Sequence, residues 1–317
     1  MAGEFEFFAS DVNLSELSML SAEQSALIEA RICEISEMAD DAAKFSANVM
    51  SDGMGVYDAF ALISPGITFG ESDVHSDALS DNVPRIFAYS KTLNLNDKAV
   101  FSQLYTDKLM RLGYSINESN LLPLGEPEET FVYLKSVYAD EAYDVFSQGF
   151  DNPRVRYVSS LKEAVSSVID GEAGYCLLPL EERGARLPTI EEMLYRADLK
   201  IVSVTPVFGF DGSLDMKYAL VAKQFTLQRY TKEDDRYLEI RLPTDSDTSL
   251  SELLSVADAY GIGVYRINTA SYHTESGERS SYSIVFHSEG ESFTTLLVYL
   301  TLFVYDYTPV GIYKNLE

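Results

Sequence analysis

Residues 159–184, SSLKEAVSSVIDGEAGYCLLPLEERG, decide the fold. Ser160 stands where a helix N-cap belongs, and Gly171 stands near that helix's end. The run GYCLLPL that follows is too continuously apolar to alternate, as expected of a strand buried on both faces. Pro179 is expected to end this strand, and Glu181, Glu182, Arg183 and Arg186 crowd in directly after it.

Outward from that point the periods alternate. TFVYL (130–134), RVRYV (154–158) and LKIVSVTPV (199–207) read as strands, and EAYDVFSQGF (141–150) and TIEEMLYRA (189–197) as helices. This is the pattern of an α/β layer fold with a largely parallel sheet. From residue 236 the order becomes β, α, β, β, α, β: RYLEIRL, a helix SELLSVADAYG opened by a Ser249/Glu252 capping box, the hairpin IGVYRINTASY and SSYSIVFH, a helix FTTLLVYLTLFV, and PVGIYKN. That order predicts a ferredoxin-like unit.

At the N-terminal end, SAEQ from Ser21 reads as a capping box. Ile28, Ile32, Ile35, Ala39, Ala42 and Val49 then follow at helical spacing to about residue 50. A second helix is expected over 97–112, with Val100, Leu104, Leu109 and Leu112 as its apolar row and Gly113 as its C-cap, before a linker LLPLGEPEE. The expected divisions are a helical region 1–83, a helix and linker 84–129, an α/β domain 130–230 and a C-terminal domain 231–317.

The charge balance excludes several classes of function. With 50 acidic against 24 basic residues, a net charge of −26 repels a phosphate backbone and an anionic membrane surface, so neither nucleic acid nor membrane is an expected partner. No apolar run approaches a membrane span and acids occupy the first residues, so a cytoplasmic protein is expected. Cys33 and Cys176 lack paired spacing and are read as buried small hydrophobes. His75, His273 and His287 lack metal-ligand spacing, so neither metal nor cofactor is expected.

SSLKEAVSSVIDGEAGYCLLPLEERG followed by EEMLYRADLKIV resembles the prephenate dehydratase family, whose two-lobed, periplasmic-binding-protein-like domain precedes a regulatory ACT domain. The likeness spans residues 130 to 317. It implies a crevice at the elbow in which Glu181 matches the family's glutamate, while Glu182 and Arg183 replace its Asn and Ser. Three departures follow. YLKSVYADEA (133–142) has none of the glycines that let the family's first loop cradle carboxylates. Only PVFGFDGSLDMK (206–217) separates two strands where a second lobe is inserted, so the lobe is expected to be missing. Met216, Lys217 and Tyr218 stand for the family's Thr-Arg-Phe, which removes a hydroxyl for proton transfer and a guanidinium fork for a carboxylate.

The candidate ligand residues are therefore Glu181, Arg183, Arg186 and Lys217, and no catalytic residue is assigned. Each has an equally physical alternative: the arginines pair with Glu181, Glu182 or Glu191, Lys217 points to solvent, and Glu181 bonds backbone amides. DAYGIGVYRI and VGIYKN resemble an ACT domain, in which Ser249, Leu250, Asn268 and Thr269 occupy the effector-binding positions with altered chemistry. The N-terminal helix has only Arg31 and Lys44 where a chorismate mutase would need several cations, so it is read as a packing or dimerisation element. The whole implies a degenerate dehydratase-like homodimer that binds an aromatic amino acid or its precursor in a regulatory role. An active prephenate dehydratase of L-phenylalanine biosynthesis is the alternative.

Overall fold

The computed structural model describes residues 22–63, 93–122, 124–226, 235–274, 277–289, 292–304 and 306–316. In chain order the helices are α1 (Ala22–Ser51), α2 (Val56–Ile63), α3 (Leu95–Arg111), α4 (Glu118–Leu121), α5 (Val137–Ser147), α6 (Leu161–Ile169), α7 (Pro188–Arg196), α8 (Leu250–Ala259) and α9 (Thr294–Phe303). The strands are β1 (Thr130–Leu134), β2 (Arg154–Val158), β3 (Tyr175–Glu182), β4 (Ala185–Arg186), β5 (Lys200–Phe208), β6 (Leu214–Ala222), β7 (Asp235–Pro243), β8 (Gly263–Thr274), β9 (Gly277–Glu289) and β10 (Thr308–Lys314). Two compact units share the chain: Met1–Met54 with Thr68–Ser115, and Gly55–Ile67 with Ile116–Glu317.

In the first unit, α1 and α3 lie side by side and run in the same direction. Arg31 bonds Asp97 at 2.7 Å, the Tyr105 hydroxyl donates to Ser46 Oγ at 2.7 Å, and the Tyr114 hydroxyl donates to the Ala47 carbonyl at 3.0 Å. The spacing on α1 holds for Ile35, Ala39, Ala42 and Val49, which are buried, but Ile28 is 43% exposed. Cys33, expected inside, is exposed. On α3 the buried row is Phe101, Tyr105 and Leu109 rather than one through Val100, Leu104 and Leu112. Ser102 and Thr106 enter that face because each hydroxyl donates to the carbonyl four residues back. Gly113 at φ 92 ends the helix as expected, with Tyr114 N–H donating to the Leu109 carbonyl. The Ser21 cap and His75 lie outside the described residues.

The second unit is built on a ten-stranded mixed sheet of order β2-β1-β3-β6-β5-β10-β7-β9-β8, with β4 paired to β3. Strands β2, β1 and β3 are parallel, while β6 runs antiparallel between β3 and β5. The mixed α/β architecture expected from the alternating periods is therefore present. Strands β10-β7-β9-β8 are antiparallel and form the ferredoxin-like βαββαβ unit. The two patterns are continuous: β10 pairs parallel to β5 at Gly311 and Ile201.

Strand β3 shows why the sequence reads as it does. Tyr175 and Leu177 face one core with Phe131, Tyr133 and Phe146 of α5. Cys176, Leu178 and Leu180 face the other, with α6 and α7. Burial pushes the Cys176 thiol up to about 12, so it is unreactive at neutral pH. Pro179 does not end the strand, as the sequence had led us to expect. It sits beyond the last residue paired to β1 and beside a bulge against β6, positions that tolerate a missing N–H. The strand runs on to Glu182 and reverses at Arg183 (φ 50) and Gly184 (φ 81) into β4, as a two-residue hairpin with both central residues left-handed requires.

Between β5 and β6 only residues 209–213 intervene, closed by Gly209 N–H to the Ser213 carbonyl at 2.8 Å. β5 and β6 are therefore joined as a hairpin. Helix α9 is buried along its length, and α4 clips its start: Glu118 accepts from Phe293 N–H at 2.8 Å and from Arg236 at 2.5 Å. No helix among the described residues is long and apolar enough to cross a membrane.

The joint between the two sheet patterns is tight at Gly311, where an added Cβ would lie 2.8 Å from Ile201 Cβ and 2.9 Å from its carbonyl oxygen. Gly311→Ala is expected to lower stability by about 1–3 kcal/mol through overpacking, measured by urea unfolding. Gly212→Ala, at a hairpin turn with open space around it, would be strained only by its φ of 77 and is expected to cost about 1 kcal/mol.

Candidate functional site

The carboxyl ends of β1, β3 and β5 form an open crest. Helix α5 starts there, and its first turn is capped by its own Ser136, whose Oγ accepts from Ala139 N–H at 3.1 Å. Tyr138 donates to Asp215 Oδ2 at 2.9 Å, which raises the tyrosine pKa. Arg183 donates its backbone N–H to the Asp215 carbonyl at 2.9 Å, while its side chain is 80% exposed, with Nε 3.9 Å from Asp215 Oδ1. Met216 pairs with Glu182 across the strands. Phe208 and Phe210, at the β5–β6 turn, are exposed. Of the candidate ligand residues, Arg183 alone belongs to this crest.

Glu181, Arg186 and Lys217 meet elsewhere, on the inner face of the sheet. Arg186 Nη2 bonds Glu239 Oε2 at 2.7 Å, and its Nε lies 3.4 Å from Glu181 Oε1. Arg266 takes the same Glu181 with both terminal nitrogens, at 2.6 and 3.3 Å. Glu239 also accepts from the Tyr313 hydroxyl at 3.0 Å and from Ser283 Oγ at 3.3 Å. Burial and the Glu239 carboxylate hold the Tyr313 pKa well above its usual value. Lys217 lies over the Tyr265 ring, 6.0 Å from its centre. Strand β8 is six places from β3 in the hydrogen-bonded order, so the Arg266–Glu181 contact means that the sheet curls until its far edge returns to β3.

Helix α7 lies against this inner face. Arg241 Nη2 donates to the Glu191 carbonyl at 3.3 Å and its guanidinium sits 5.2 Å from the centre of the Tyr195 ring, which in turn packs on Tyr272 at 3.7 Å. The Glu191 carboxyl is drawn in with it: Oε1 is buried without a hydrogen-bond partner among the described residues. Burial raises its pKa, with Arg186, Arg241 and Arg266 opposing and Glu239 reinforcing the shift.

The four ferredoxin-unit candidates do not converge on a common pocket. Ser249 caps α8 in a reciprocal box with Glu252, as expected, and Leu250 is the helix's first residue. Asn268 and Thr269 lie on β8, opposite Ser283 and Tyr282 of β9, which separates them from β7.

Comparison with known proteins gives a likeness of fold. No protein-family model matches the chain, and no curated protein matches it. Solved prephenate dehydratases are similar to it. The enzyme from Streptococcus mutans has 17% identity over 59% of this chain and 99% of that one, with a TM-score of 0.47. Prephenate dehydratase from Arthrobacter aurescens, in complex with L-Phe, has 13% identity over 58% and 89%, with a TM-score of 0.44. GqqA, described as a novel type of quorum quenching acylase, has 18% identity over 59% and 95%, with a TM-score of 0.43.

The sequence reasoning missed Glu239, Arg266 and Tyr313. A signal for the first was present: RYLEIRL places Tyr237, Glu239 and Arg241 at every second position of an expected strand, so one face of it is polar and, where buried, has to be paired. Glu239→Gln leaves Arg186 buried without its nearest carboxylate and is expected to lower stability by about 3 kcal/mol in urea unfolding, whereas Arg183→Ala stays within ~0.5 kcal/mol. Glu191 has its folded pKa above its unfolded one, so the folded state binds the extra proton. Its contribution favours folding below the usual carboxylate range and is lost as pH rises through the raised value. Stability curves from pH 4 to pH 8 are therefore expected to show Glu191→Gln gaining on the wild type as pH increases.

Proposed function

We infer that this chain is a dehydratase-like protein that binds a small acid without transforming it, in a regulatory role. The observation that carries this reading is the β5–β6 connection. Five residues close the crest where the resemblance calls for a whole lobe, so a substrate held there would face water on its outer side. Dehydration with decarboxylation needs a positioned proton donor and an enclosed dicarboxylate. Met216 offers no proton, and the Tyr138 hydroxyl is already given to Asp215. Binding asks for less. Arg183 is an exposed guanidinium beside the start of α5, in a chain of net charge −26 where exposed cations are scarce.

In this reading the ligand is an aromatic amino acid or its precursor, with its carboxylate on Arg183. The ferredoxin-like unit acts as an ACT-type module. Two chains pair through the β8 edge, where Val264, Tyr265 and Ile267 are each more than a third exposed.

Two measurements test it. Absorbance of phenylpyruvate formed from prephenate is expected to stay at the uncatalysed rate. Calorimetric titration with phenylalanine, tyrosine, prephenate and phenylpyruvate is expected to give saturable heat for at least one, weakened about tenfold or more by Arg183→Ala. Turnover abolished by that same substitution would instead establish the active enzyme, and four heatless titrations would leave no small-acid binder.

A further inference from the structure

The curled inner face holds a feature that neither the crest nor the ferredoxin-like unit explains. Arg186 has only 6% of its side chain exposed, yet its Nη1 is buried without a hydrogen-bond acceptor among the described residues, and its Nε faces Glu181 Oε1 at 3.4 Å without a hydrogen bond. A buried guanidinium N–H without an acceptor is costly, so a partner is called for. Arg186 borders a cavity of ≈10 Å³, together with Glu181, Lys217, Tyr237, Tyr265 and Asn315. That volume suits one particle about the size of a water molecule.

The local charge decides which particle. Arg186 and Arg266 are matched by Glu181 and Glu239. Lys217 also lines the cavity; its half-buried ammonium lies over the Tyr265 ring and has no carboxylate in an ion pair with it among the described residues. The groups around the cavity thus carry one positive charge in excess. Lysine ammonium, arginine N–H, tyrosine hydroxyl and asparagine amide are all donors, and Glu181 is the single carboxylate among them. A neutral water would satisfy the geometry and leave the charge.

We propose that this cavity is a binding site for one small monovalent anion of halide size, held between Arg186 and Lys217. The anion completes the set of ion pairs that returns β8 to β3, so its occupancy stabilises the closed sheet. The site is separate from the Arg183 crest, and a crest that binds nothing would leave it untouched.

The test uses the full chain with chloride as the probe. Thermal unfolding is followed as sodium chloride replaces sodium gluconate at constant ionic strength, which holds general screening fixed. The melting temperature is expected to rise saturably, by on the order of 5 °C at ~100-fold excess over the dissociation constant. Lys217→Met keeps the length of the side chain and removes its charge, so the rise is expected to disappear in that variant while it folds in gluconate. Crystals soaked in sodium bromide are expected to show an anomalous peak within about 3.5 Å of Arg186 and Lys217. A melting temperature indifferent to chloride, a rise that survives Lys217→Met, or a cavity without a bromide peak would each overturn the proposal.

Discussion

Glu181, shared between Arg186 and Arg266, is the contact on which the second unit turns. Through Arg266 it joins strands that are six places apart in one sheet, and Glu181 and Arg186 are almost wholly buried there while Arg266 keeps a fifth of its side chain exposed. Moving such charges out of water is so unfavourable that they are tolerated only when each finds its opposite at close range. The requirement acts as a geometric constraint. A flatter sheet would carry Arg266 away from Glu181 and leave two carboxylates, Glu181 and Glu239, facing Arg186 alone. The charges thus favour the curled sheet alongside the apolar packing of α7, whose Ile190 and Leu194 are buried against the same strands.

The same constraint separates two regions that the sequence presents as one. Four polar residues follow the apolar run within eight positions, and they read naturally as a single lining. The Arg183–Gly184 reversal divides them. Residues before and after the turn pair with each other across a two-residue hairpin, so Glu181 and Arg186 come face to face and turn inward, while Arg183 is left at the tip. One bulge contributes as well, because the register against β6 shifts between Pro179 and Glu181.

Most elements were legible because their signals are local. Ser160, Ser249 and Gly113 each mark a helix end through a bond that involves a few neighbouring residues, and TFVYL and RVRYV were recovered to the residue. The failures share a different cause. The face of α3 was misread because Ser102 and Thr106 satisfy their hydroxyls on their own helix and can then be buried, which no hydropathy pattern registers. Pro179 was misread because its tolerance depends on where a neighbouring strand stops. Arg266 and Tyr313 could not be joined to Glu181 and Glu239 from sequence, since the pairings span 85 and 74 positions: the first exists only once the sheet has curled, and the second depends on the register between β10 and β7.

The position of β6 shows how little of the sheet depends on the connection at the crest. Strands β5 and β6 are antiparallel neighbours, so their ladder is indifferent to what joins them at the crest. The five-residue turn closes the hairpin with Gly209 N–H donating to the Ser213 carbonyl at 2.8 Å. The sheet, its two cores and the charged closure on the inner face are all assembled below that point. The β5–β6 turn and the start of α5 lie above it, so a change in that turn leaves both cores and the charged closure in place.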